Sequence, residues 1–183
     1  MSEAQLPMSV VGQIAAPLTL FMALLLMATS AHKLFHFKRA RNSAEVFAGV
    51  PPALGGAAAG AVLVAELLAA VLLLIPAQRT MAAAMAAVIW SGYGFLMIRA
   101  IAQGRAAVDC GCSFGAAHAE LGVFQIFRNG VLIALVMFCG AAPLVPSGVA
   151  ISWQILAAFT LFALYAALDQ VMSLKPLRSG VMN

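Results

Sequence analysis

The sequence predicts an all-α, polytopic membrane protein with five spanning helices. Three observations predict it. Of 183 residues, 64% are hydrophobic and 9% charged, whereas a soluble domain runs near half apolar and a quarter charged. Mean hydropathy is +1.02. The apolar residues also gather into five stretches, each near the ~20 residues a helix needs to cross a bilayer. A helix satisfies its own backbone polar groups, which a lipid interior demands. This composition excludes a soluble globular chain, and it is the reverse of a disordered one. Ten Lys+Arg against six Asp+Glu give +4, too few and too scattered for a nucleic-acid face.

The spans follow in order. The first covers about residues 11–31; the segment before it carries Glu3 and no Lys or Arg, so it reads as a retained span and not a cleaved signal. The second, about 57–75, is entered through Pro51-Pro52 and Gly55-Gly56, which read as loop. A tight turn at 75–79 leads to the third, about 80–102. The fourth covers about 121–140, and Pro143 and Pro146 mark the turn into the fifth, about 149–172. Residues 33–50 and 103–120 are the two longer connections. The sequence shows no internal repeat, and residues 1–183 read as one membrane domain.

Basic residues set the orientation. Lys33, Lys38, Arg39, Arg41, Arg99, Arg105, Lys175 and Arg178 fall on one face, and Arg79 stands alone on the other. The asymmetry predicts an outside (periplasmic) N-terminus and a cytoplasmic C-terminus in a bacterial inner membrane. Gly56, Gly60, Ala83 and Ala87 read as small residues for close helix packing. Trp90, Trp153, Tyr93 and Tyr165 fit either the core or an interfacial belt, and the ten methionines read as adaptable filler. The basic run 33–41 reads as a loop facing lipid headgroups.

Charges inside apolar stretches carry the chemical signal. Glu66 lies within the second span and Arg128-Asn129 within the fourth, where each charge costs roughly 2.5–3.5 kcal/mol near the membrane centre. At about 1.5 Å per residue both lie at comparable depth, so they are expected to pair, near the end that also carries His32, Lys33 and Arg99. Such a pair either fixes helix packing or supports a site above it.

That site is the connection Val108-Asp109-Cys110-Gly111-Cys112-Ser113-Phe114-Gly115. Two cysteines around one glycine can close a small, strained and easily reduced disulfide. They can bind a soft metal as a thiolate pair, or they can be two small loop residues. A zinc site wants four protein ligands, and only His118 is near in sequence. Arg99, Arg105 and Arg128 would favour a nearby thiolate, and Asp109 would disfavour it. Cys139, at the far end of the fourth span, reads as an inert buried thiol.

Several of these features together resemble the methylamine utilization protein MauE family, within the wider DoxX-like group. They are Ala31-His32-Lys33-Leu34-Phe35 closing the first span, Glu66 amid Leu and Ala, Asp109-Cys110-Gly111-Cys112, and Arg128-Asn129. The similarity covers most of residues 10–140. The family pattern is commonly Cys-Gly-Cys-Phe-Gly; here Ser113 stands before Phe114-Gly115, which alters the loop and spares the cysteine pair. The resemblance implies a four-helix-bundle core and a role in maturing methylamine dehydrogenase, a periplasmic enzyme with a disulfide-dense small (β) subunit bearing a tryptophan-derived quinone. It also implies a thioredoxin-like partner, MauD. On that reading Cys110 and Cys112 are the redox pair, supported by Glu66, Arg99, Asp109, Arg128, Asn129 and His32, with no cofactor or metal and no part in making the quinone.

Two other readings compete. One is a small carrier for a metal or small molecule along Glu66, Arg128 and the cysteines; the other is a passive scaffold for the partner. The charge asymmetry also sets the cysteine loop on the cytoplasmic face, while disulfides of a periplasmic enzyme form outside.

Overall fold

Residues 5–46, 48–104, 123–143 and 151–173 are described by the structure, a computed structural model, and all their regular elements are helical. Five helices are long and apolar enough to cross a membrane, so the chain is a multi-pass membrane protein. In chain order they are α1 (Gln5–Phe35), α3 (Pro52–Leu73), α4 (Arg79–Ala102), α5 (Val123–Ala141) and α6 (Ile151–Ser173). A short helix, α2 (Phe37–Val46), follows α1.

The first four spans close into a ring: α1 packs on α3, α3 on α4, α4 on α5, and α5 back on α1. Met22, Leu25 and Leu26 of α1 interlock there with Ala69, Ala70 and Leu73 of α3. Ala82, Ala83, Ala86 and Trp90 of α4, with Leu132 and Val136 of α5, complete the core. Alanine dominates the α4 face because small side chains let helix backbones approach, which is where packing contacts form in a bilayer. At the end opposite the α1–α2 turn, a Cβ on Gly140 would lie 2.6 Å from that of Ala83. Thr80 Oγ1 donates to Gly140 O at 3.0 Å there, and Arg79 donates to Ala142 O. The start of α4 thus caps the carbonyl end of α5. α6 stands outside the ring and rests on α1.

Three expectations need correction. α3 begins at Pro52, about five residues before the expected start. Pro51 is extended (φ −54°, ψ 142°) and Pro52 takes the first helical position, where its missing N–H breaks no helix bond. Gly55 is helical and lies under α2, with the site of a Cβ 2.5 Å from Glu45 Cγ. Gly56 and Gly60 face open space, so the close approach falls at Gly55 instead. The connection 33–50 is largely helical as well: α1 runs through Phe35 and α2 packs across the start of α3. A search for ~20-residue apolar runs passes over a ten-residue polar helix. Its own Arg41–Glu45 pair, 2.7 Å at i,i+4, supports it.

Candidate functional site

Among the described residues Glu66 is the most deeply buried charge, with 1% of its surface exposed. About two-thirds of the way along α3, it meets the last turns of α1. Lys33 Nζ donates to both carboxylate oxygens, at 2.7 and 2.8 Å. Tyr93 of α4 donates its hydroxyl to Oε1 at 2.5 Å, and Ser30, one turn before Lys33, lies 3.5 Å from Oε2. The Lys33 ammonium also stands 5.2 Å from the centroid of the Tyr93 ring, a cation–π distance. Three helices are thereby tied to one carboxylate.

A second arrangement repeats the theme. Arg128 of α5 pairs with Asp169 of α6, both more than nine-tenths buried. The Arg128 guanidinium lies 5.8 Å from the Tyr165 ring centroid, and Tyr165 meets Phe21 of α1 edge to face at 6.0 Å. Asn129 turns toward α4, its amide 3.6 Å from Met97 Sδ. Between the two arrangements lies a cavity of about 20 Å³ bordered by Lys33, Glu66, Tyr93, Arg128, Asn129 and Tyr165. That is about the space one water needs.

The expected Glu66–Arg128 pair is therefore replaced by two pairs, Lys33–Glu66 and Arg128–Asp169. The depth estimate brought Glu66 and Arg128 to one end of the bundle, where they border the same cavity. Helix depth does not decide which neighbouring helix supplies a counter-ion. Lys33, read as a loop cation, is buried in the last turn of α1. Ser30, Tyr93, Tyr165 and Asp169 were missed as site residues. The signal for Asp169 was an acidic residue inside the fifth apolar run, four positions after Tyr165 and so on the same helix face.

The remaining candidates lie apart. His32 is half-buried and stacks on His36, ring centroids 4.6 Å apart. Arg99 is exposed in the last turn of α4, with its Nη2 3.8 Å from where a Cβ of Gly49 would sit. Gly49 has φ +72°, a left-handed conformation suited to glycine. Cys139 is free and fully buried, its Sγ 4.0 Å from Ala15 O. Asp109, Cys110, Cys112 and His118 lie outside the described residues. Among the described residues, no three His, Cys, Asp or Glu side chains gather as a metal site would require.

The sequence profile of the family described as Methylamine utilisation protein MauE matches residues 11–142. The chain belongs to the MauE family. It is 31% identical over 108 residues to the Methylamine utilization protein MauE of Methylophilus methylotrophus, and the aligned part covers 57% of each chain. The chain thus spans little more than half the length of that relative. No solved structure matches. The matched region contains Ser30, Lys33, Glu66, Tyr93, Cys110, Cys112 and Arg128; it ends before α6, so Tyr165 and Asp169 lie beyond it.

Proposed function

We propose that this protein is an inner-membrane accessory factor of methylamine utilisation. On this reading it handles thiols during maturation of the small subunit of methylamine dehydrogenase, together with a thioredoxin-like, MauD-type partner. The observation that carries the reading is the family match over residues 11–142, a stretch that includes Cys110-Gly111-Cys112. In the step proposed, the thiolate of one cysteine attacks the partner's disulfide, forming a mixed disulfide and expelling a partner thiolate. The second cysteine then attacks the mixed bond. Cys110–Cys112 becomes a disulfide, and the partner leaves as a dithiol. Two electrons pass from this pair to the partner, and the reverse sequence returns them.

The ion pairs support the reading through rigidity. The described part of α4 leads into the cysteine segment and α5 leads out of it, and Tyr93 and Arg128 tie both helices into the buried network. The carrier reading would need more room between the two ion pairs than the ~20 Å³ there, the space of one water.

The proposed orientation remains N-terminus outside. It sets the cysteines on the cytoplasmic face and makes the pair the inner end of a relay of reducing equivalents toward the periplasmic enzyme. Lys33 leaves the charge count because Glu66 neutralises it within the bundle, and seven basic residues still oppose Arg79. A membrane-impermeant thiol reagent applied to intact cells reports the side of the cysteines directly. Protection until the membrane is opened supports this orientation; labelling from outside reverses it.

The decisive experiment replaces the cysteines. Cys110→Ser and Cys112→Ser should each abolish dehydrogenase maturation while the protein stays in the membrane. One of them should trap a partner through a reductant-cleavable bond, and Cys139→Ser should be nearly silent. Normal maturation with the Cys110/Cys112 double variant would overturn thiol handling and leave a scaffold.

A further inference from the structure

We propose that α2 and the turn before it form an interfacial platform that binds the headgroups of anionic phospholipids. The inference does not rest on the cysteine chemistry.

Position comes first. The span in α1 runs to Phe35; α2 starts two residues later and packs across the start of α3, the next span. A helix set between the same-side ends of two spans lies where hydrocarbon gives way to headgroups.

The structure then sorts the cations of this corner. Lys33 is bound to Glu66 inside the bundle. Arg41 pairs with Glu45 at 2.7 Å and donates to Pro52 O at 3.3 Å, so its charge is used in clamping α2 onto α3. Lys38 takes part in neither tie. It is exposed in the first turn of α2, and no acidic side chain of the described residues pairs with it. Arg99 is also exposed, beside Gly49 in the segment that joins α2 to α3. A clamped helix thus presents one cation near each end. At the opposite end of the bundle Arg79 is engaged with Ala142 O.

Apolar side chains share the corner. Leu34, Phe35 and Phe37 are 62%, 82% and 39% exposed, immediately before Lys38. In an interfacial helix the apolar groups enter the acyl boundary while the cations stay level with the phosphates. Lipid at this depth covers the phenyl rings and meets the cations at once; an acidic protein surface would complement only the cations. Charge selects the headgroup. Phosphatidylcholine brings its phosphate with an ammonium that Lys38 and Arg99 repel, whereas phosphatidylglycerol brings the phosphate alone.

Native mass spectrometry of the full-length protein tests this, after delipidation in detergent and addition of equimolar dioleoylphosphatidylglycerol and dioleoylphosphatidylcholine. Adducts of the anionic lipid should dominate. Lys38→Gln and Arg99→Gln should each lower the ratio of the two adducts about fivefold, the ~1 kcal/mol that a basic residue near an anionic surface contributes. Lys38→Arg should preserve the ratio. Phe35→Ser should weaken retention of both lipids and leave their ratio unchanged. Equal retention of the two lipids by the unmodified protein would overturn the proposal and leave α2 to a protein partner with an acidic face. A ratio unchanged in the Lys38→Gln/Arg99→Gln double variant would also overturn it, because the preference would then arise elsewhere on the chain. The competition on the unmodified protein needs no variant to fold.

Discussion

The protein builds the same device twice: a buried cation and a buried carboxylate beside a half-buried tyrosine, where a bilayer would lie. Lys33, Glu66 and Tyr93 join α1, α3 and α4 inside the four-helix ring. Arg128, Asp169 and Tyr165 join that ring to the outlying α6. The first is closed, with helices around it and Glu66 held from three directions. The second borders an open cleft. Burying ions costs several kcal/mol each, and a closed pair repays this only when its remaining hydrogen-bonding capacity is met. Glu66 meets that condition through two bonds from Lys33 and one from Tyr93. The closed copy is therefore read as a tie within the ring, and the open copy as a tie that holds α6 to it beside an apolar cleft.

The largest effect should follow from breaking the closed copy. Glu66→Leu strands Lys33 inside the bundle, and Lys33→Met strands Glu66. Removing one partner of a buried pair costs about 3–5 kcal/mol, so either variant should fall sharply in membrane level and unfold at lower denaturant in an SDS titration. The Lys33→Met/Glu66→Leu double variant leaves no stranded charge and should recover most of the loss. Equal damage in single and double variants would sink the closed-tie reading.

A smaller effect is expected at the open copy. Asp169→Leu removes the bridge across the cleft, and the Arg128 guanidinium, 8% exposed, keeps its contact with the Tyr165 ring. The cost should be about 1–3 kcal/mol, that of leaving a hydrogen-bonding group poorly satisfied. The damage should be local: α6 becomes susceptible to protease before the ring does. Loss of the whole fold at the same denaturant as Glu66→Leu would erase the distinction between the copies.

Much of this was legible in the sequence, and the failures share a cause. Hydropathy located five spans because lipid imposes a length and a composition on every helix that crosses it. Glu66 and Arg128 stood out because charges in apolar runs are costly. Which charge faces which was hidden, since spacing along one helix fixes depth and face but not the neighbour across the gap. Lys33 sits at the end of an apolar run, where a long side chain can reach outward to headgroups or inward to an acid; Glu66 draws it inward. Asp169 sits in the same ambiguous zone at the end of α6. Pro51-Pro52 illustrates the converse, a loop signal that was in truth a helix start. The cysteine segment drew its reading from residue chemistry and family resemblance, and its residues lie outside the described part of the fold.

The smallest and sharpest expectation concerns the Tyr93 hydroxyl. Tyr93→Phe removes the 2.5 Å hydrogen bond to Glu66 Oε1 and keeps the ring that Lys33 overlies at 5.2 Å. Glu66 retains both bonds from Lys33, so no charge is stranded. The loss should be only about 0.5–1.5 kcal/mol, the net worth of one hydrogen bond. If the hydroxyl works solely through Glu66, its removal should cost nothing further once Glu66 is gone. Tyr93→Phe placed on the Lys33→Met/Glu66→Leu background should then leave the SDS midpoint where it was, giving a coupling energy equal to the single-variant loss. Additive losses would mean that the hydroxyl serves another group lining the small cavity. The network would then extend from the closed copy toward Arg128, and the two copies would have to be treated as one coupled unit.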